Sequence, residues 1–208
     1  MARSTRQSEP DDAESSLCTA ELLFAEHGIH SASDPSTTAE LVLAITGVHA
    51  RQIEQRRAPM VAEAAGSTEL RDWVACLVRP VTEHLEALGN PTWYARFCAQ
   101  LLKDPALHDT TVDVSVTSSA SLRPLLQGLE LCLPDLSARA HFERASMARY
   151  LIVQVCAERE SALSEGTSTL WSSWDAAAAG LVDGITGLWQ APITRVSTGG
   201  SGPRAIIH

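Results

Sequence analysis

The chain has 208 residues, 45% of them apolar and 20% charged, which excludes disorder throughout and suits one domain with a substantial core. The formal net charge of −9 leaves nucleic-acid binding only to a local basic patch. No apolar run approaches the ~18 residues that span a membrane, and residues 1–20 lack a signal-peptide core, so the chain reads as cytoplasmic.

Seven helices are predicted in chain order. Residues 1–13 are polar and read as a tail. The first helix runs from about Glu14 to His27 and stops at Gly28, a natural C-cap. A second lies within 38–65, with Leu41, Val42, Ile45, Val48, Ile53, Met60 and Val61 as its apolar positions. The third spans 68–88, capped by Ser67 or Thr68, with Val74, Leu77, Val78, Val81, Leu85 and Leu88 as its buried stripe and Pro80 kinking it. The fourth covers 92–104, the fifth about 117–132 and the sixth 137–160. The seventh, 169–192, carries Trp171, Trp174, Ala178, Leu181, Ile185 and Leu188 three and four apart, a narrow seam for helix packing. Alternating β-branched residues occur only at "TTVDVSV" (110–116). Residues 193–208 read as a second tail.

The chemistry-bearing residues are dispersed. Cys18, Cys76, Cys98, Cys132 and Cys156 form no C-x-x-C pair and suit reduced, mostly buried thiols. No His/Cys/Asp/Glu cluster has metal-ligand spacing, and neither a Gly-rich phosphate loop nor a G-x-S-x-G elbow is present, so no metal and no cofactor is predicted.

Three stretches resemble one family. "ELLFAEHGIHSAS" (21–33) is similar to the first helix and turn of tetracycline-repressor (TetR) type regulators, and "VRPVTEHLEALGNPTWYARFCAQLLKDPAL" (78–107) resembles the ligand-binding core of an actinobacterial branch of them. The helices at 137–160 and 169–190 stand where that family has its dimerising four-helix bundle. The resemblance implies an all-α fold, with a TetR-like ligand-binding and dimerisation domain over 39–192 and a truncated N-terminal DNA-binding region over 14–38. The implied partners are a small molecule and a second copy of the chain.

The departure from the family pattern is as informative. That family follows its first helix with a helix-turn-helix, a Y-x-H-F-like segment and a long connecting helix. A helix-turn-helix needs roughly 20 residues, yet only ten, "IHSASDPSTT", separate Gly28 from the helix resuming at Ala39. "QIEQRRAPMV" resembles the connecting helix, so residues 39–62 are expected to form one long helix. The rival alignment places a helix-turn-helix inside "ELVLAITGVHARQIEQRR", turning at Gly47-Val48 and presenting Arg51, Arg56 and Arg57 to the major groove. It leaves no connecting helix before the "AAGS" break at 64–67. Charge opposes it too: residues 7–50 hold no Lys or Arg, whereas Glu9, Asp11, Asp12, Glu14, Glu21, Glu26, Asp34 and Glu40 are acidic and would repel phosphates.

A pocket is expected between the third, fourth and sixth helices, lined by Trp73, Val81, Trp93, Tyr94, Phe97, Met147 and Gln154. His84 and Tyr150 are the acid–base pair within reach if the site is catalytic. Each has a plainer reading: His84 as a core histidine with one hydrogen bond, and the aromatics as core packing. Arg96 is expected to be exposed or paired with an acid such as Asp104, and Glu83, Glu86, Arg139 and Arg144 to form a solvated face. The resulting expectation is a small-molecule-binding protein of bacterial secondary metabolism that has lost DNA binding. A cofactor-independent cyclase or isomerase would be its catalytic form. The alternative is a ligand-responsive repressor.

Overall fold

The computed structural model describes residues 8–29, 34–104, 107, 119–133 and 136–193. Among these the chain is all-helical, with no strand: α1 Ser8–His27, α2 Pro35–Glu63, α3 Leu70–Leu88, α4 Tyr94–Leu101, α5 Leu122–Cys132, α6 Ala138–Glu165 and α7 Trp174–Gln190. The "TTVDVSV" signal lies outside the described residues, as does most of both predicted tails. No described helix is long and apolar enough to cross a membrane.

Local chemistry sets most helix ends. Gly28 stops α1 at φ +83°, a backbone state that glycine adopts without a Cβ clash. Asp34 caps α2, accepting from Ser36 N–H at 3.1 Å and Thr37 Oγ1 at 2.9 Å. From there α2 runs unbroken through Gly47 to Glu63, so the turn required by the rival alignment is absent. Pro80 is buried within α3 and does not end it. Ser137 caps α6 and Ser173 caps α7. The seventh helix starts five residues later than predicted because Arg159 takes the preceding segment: it donates to Thr169 Oγ1 at 2.8 Å and to the Trp171 carbonyl.

The short α4 has no side-chain cap of its own. Glu160 of α6 supplies one, accepting from Ala95 N–H at 3.1 Å and Arg96 N–H at 2.9 Å. Arg96 also pairs with Glu160, at 3.3 Å, in place of the expected Asp104. Arg144 departs from the expected solvated face as well. It is buried and donates to the carbonyls of Trp189 and Ala191, at 2.5 Å each, at the end of α7.

One apolar core runs from Phe24 and Ile29 through α2, α3 and α4 to Ile185 and Trp189. The segment 14–38 therefore shares its core with 39–192. Within it α7 packs most extensively on α3, and α4 on α6. This corrects the reading of the α7 seam. Trp174, Ala178, Leu181 and Ile185 are buried inside the single chain and are not free to meet a symmetry mate. A stripe with residues three and four apart fits any apolar helix, and α3 is the one that covers it.

Candidate functional site

Two features meet on the inner face of α2. The first is a buried polar chain. Glu21 of α1 is 2.9 Å from His49 Nε2, and His49 Nδ1 is 2.8 Å from His84 Nε2 on α3. Tyr94 of α4 stacks on the His49 ring, centroids 3.7 Å apart. Burial, then the neighbouring His49, pull His84 down to about 4, so it is neutral at neutral pH. Burial, above all, raises Tyr94 well above the usual phenol range.

Tyr94 also lines a cavity of about 450 Å³ bordered by α2 to α7, which opens to solvent past Leu126. Leu77, Val81, Leu126, Leu129 and Ile152 make it apolar, and Tyr94 and Cys98 lie on its α4 side. Burial pushes the Cys98 thiol up to about 12, so it is uncharged there. Three buried polar atoms of lining residues have no hydrogen-bond partner: Thr46 Oγ1, Arg57 Nε and Arg149 Nε. Native interiors rarely leave such atoms unmet. Arg57, only 8% exposed, reaches Ser119 Oγ at 3.3 Å and lies 3.5 Å from Glu54. Glu54 is itself engaged by Ser119 and by Ser121, whose N–H donates at 2.9 Å and Oγ at 2.7 Å. Burial raises Glu54, and these bonds together with Arg57 outweigh it, leaving the carboxylate below its usual range.

A second hollow of about 490 Å³ lies on the α1 side, between Leu17, Val48, Leu88 and Trp93. Its buried polar groups Glu21 and His49 already have partners, so nothing in it calls for a ligand. The α2–α7 cavity is the better candidate although it is slightly smaller.

The predicted site residues divide. Val81 and Tyr94 line the cavity, which does lie among the third, fourth and sixth helices. His84 is 3% exposed and lines neither hollow. Phe97 is fully buried in the core, its ring 6.2 Å from Phe24. Trp73 packs on Gly128, and its Nε1–H donates to the Ser67 carbonyl at 3.1 Å. Trp93 belongs to the second hollow. Met147, Tyr150 and Gln154 face outward on α6, with Tyr150 48% exposed. His84 and Tyr150 are therefore not brought together as an acid–base pair. The reason is angular: Ala145, Ala148, Arg149 and Ile152 hold the inner face of α6, and residues 147, 150 and 154 fall on the opposite one.

The polar residues that matter here were readable only as anomalies. Thr46 and His49 interrupt the apolar face of α2 beside Val42 and Ile45, and Arg149 stands one turn before Ile152 and Val153. Arg57 had a sequence reading only as a groove contact. Among the described residues no group of three or more His, Cys, Asp or Glu is placed to hold a metal. No family model matches the chain, and no curated protein or solved structure matches it.

Proposed function

We propose that this chain is a small-molecule-binding protein on a TetR-like scaffold that does not read DNA. The observation carrying this reading is the apolar cavity of about 450 Å³ with three unmet buried polar atoms on its wall. Apolar walls with a few convergent polar groups are what organic ligands need. Two features favour the loss of DNA reading: α2 is continuous where the rival alignment turns, and Arg57 points into the protein. Arg51 and Arg56 remain on the surface, without the basic surroundings that phosphate binding requires. Binding is favoured over turnover, because His49 and His84 spend ring nitrogens on each other and Tyr150 lies outside. All five cysteines are free, in keeping with a cytoplasmic protein.

The scaffold implies a homodimer. With the α7 seam occupied, we propose that the contact uses the outer faces of α6 and α7. Met147, Tyr150 and Leu151 are exposed on the first. Gly180, Gly184 and Gly187 are exposed on the second, and a Cβ at 184 or 187 would meet nothing. Bare backbone at this spacing admits a close neighbouring helix.

The neutral solvatochromic dye Nile red tests the cavity. The wild type is expected to bind one dye per chain, and Val153→Phe, which fills the cavity from α6, to weaken binding at least about tenfold while remaining folded. Equal dye binding by that variant sinks the cavity reading. A gel shift with the DNA upstream of the gene is expected to show no retardation; specific retardation revives the repressor.

A further inference from the structure

We infer that the ligand is an amphipathic organic acid, its carboxylate held by Arg57 and Arg149 and its apolar body lying along Leu77, Val81, Leu126 and Leu129. The inference rests on the ligand-binding reading and adds the chemical class. Its ground is the charge around the cavity. Two guanidinium groups line it and no described lining residue is acidic. The nearest carboxylate to Arg57 is Glu54, 3.5 Å away, already bound by Ser119 and Ser121. Arg149 has no ion-pair partner among the described residues, and its Nε is buried without a hydrogen bond. Two cations against one carboxylate leave one positive charge unmatched, which one monoanion neutralises and a dianion would overshoot.

The donor geometry agrees. A guanidinium is a planar fork that meets a carboxylate through two parallel N–H bonds. Thr46 Oγ1, also buried and unmet, adds a neutral hydroxyl. The Tyr94 and Cys98 side chains on the same wall remain protonated, so they put no negative charge beside the acid. The buried Arg149 Nε–H has no acceptor within the protein, and a carboxylate would supply one.

The test is a competition against Nile red at pH 7 on the full chain, with decanoate and methyl decanoate as a matched pair. Decanoate is expected to bind at least about tenfold tighter than its ester, the value of a charge-assisted hydrogen bond. Arg149→Gln should bring the two within about threefold, while Arg149→Lys keeps part of the preference because it keeps the charge. Arg149→Gln is also expected to leave the thermal midpoint unchanged or higher, since it removes an unmatched charge. An ester that binds as tightly as the acid, or an undiminished preference in Arg149→Gln, overturns the inference and leaves the cavity reading standing. Failure of Nile red to bind the wild type at all removes the cavity reading itself.

Discussion

His84 shows how a residue with catalytic chemistry can be drawn into a buried hydrogen-bond chain. If His49 Nε2–H donates to the Glu21 carboxylate, its Nδ1 is left to accept from His84 Nε2–H, so one donor serves each contact. An extra proton on His84 would face the His49 ring and, more remotely, Arg56, in a buried site. Its folded value of about 4 lies below the ordinary 6.5, so between those values the unfolded chain binds the proton more readily. Stability is thus full above 6.5 and is lost as pH falls towards 4. The urea midpoint is expected to drop over that interval, and to drop less in His84→Gln, whose amide keeps a hydrogen bond but does not titrate there. A variant with the same slope as the wild type would assign the loss to other groups. The His84 Nε2 contact with His49 ties α3 to α2 and, through Glu21, to α1.

At the scale of elements, the packing of α5 on α3 turns on one glycine. A Cβ on Gly128 would overlap the Trp73 indole, which is held by its Nε1–H bond to the Ser67 carbonyl. Gly128→Ala is expected to cost about 1–3 kcal/mol, read as a lower thermal midpoint. An unchanged midpoint would mean that α5 shifts freely, and α5 also carries Leu126 and Leu129 of the cavity wall. Trp73 looked from sequence like a pocket aromatic. It is a packing residue whose partner, a backbone without a side chain, leaves no mark in its own surroundings.

For the whole molecule the decisive quantity is the assembly. Tyr150 and Met147 are half exposed in the single chain, and the proposed dimer covers them. Sedimentation of the wild type is expected to give a dimer, and Tyr150→Glu a monomer with nearly unaltered thermal stability of the fold, since a surface change within the chain costs little. A monomeric wild type, or a Tyr150→Glu variant that sediments as a dimer, removes this contact. Tyr150 and Gln154 stand among the apolar residues of "YLIVQV" and are both exposed, since apolar neighbours in sequence on α6 need not share its inner face.

The all-helical class, most helix positions and the unbroken course of α2 can be read from the residues alone. These depend on information local to the chain: apolar period, the Asp34 and Ser137 caps, and the conformational freedom of Gly28. The region of the cavity is legible there too, because α3 and α4 are joined by a short turn. Which helix covers which stripe depends on packing between elements. That packing seats the α7 seam on α3 and turns Arg57 and Arg149 inward and Tyr150 outward. Successive helical residues differ by ~100° around the axis, so Arg149 and Tyr150 are neighbours in sequence and face different surroundings. Periodicity fixes the angles between residues on one helix. It does not say which of those directions another helix will occupy, and that direction separates a cavity wall from a surface.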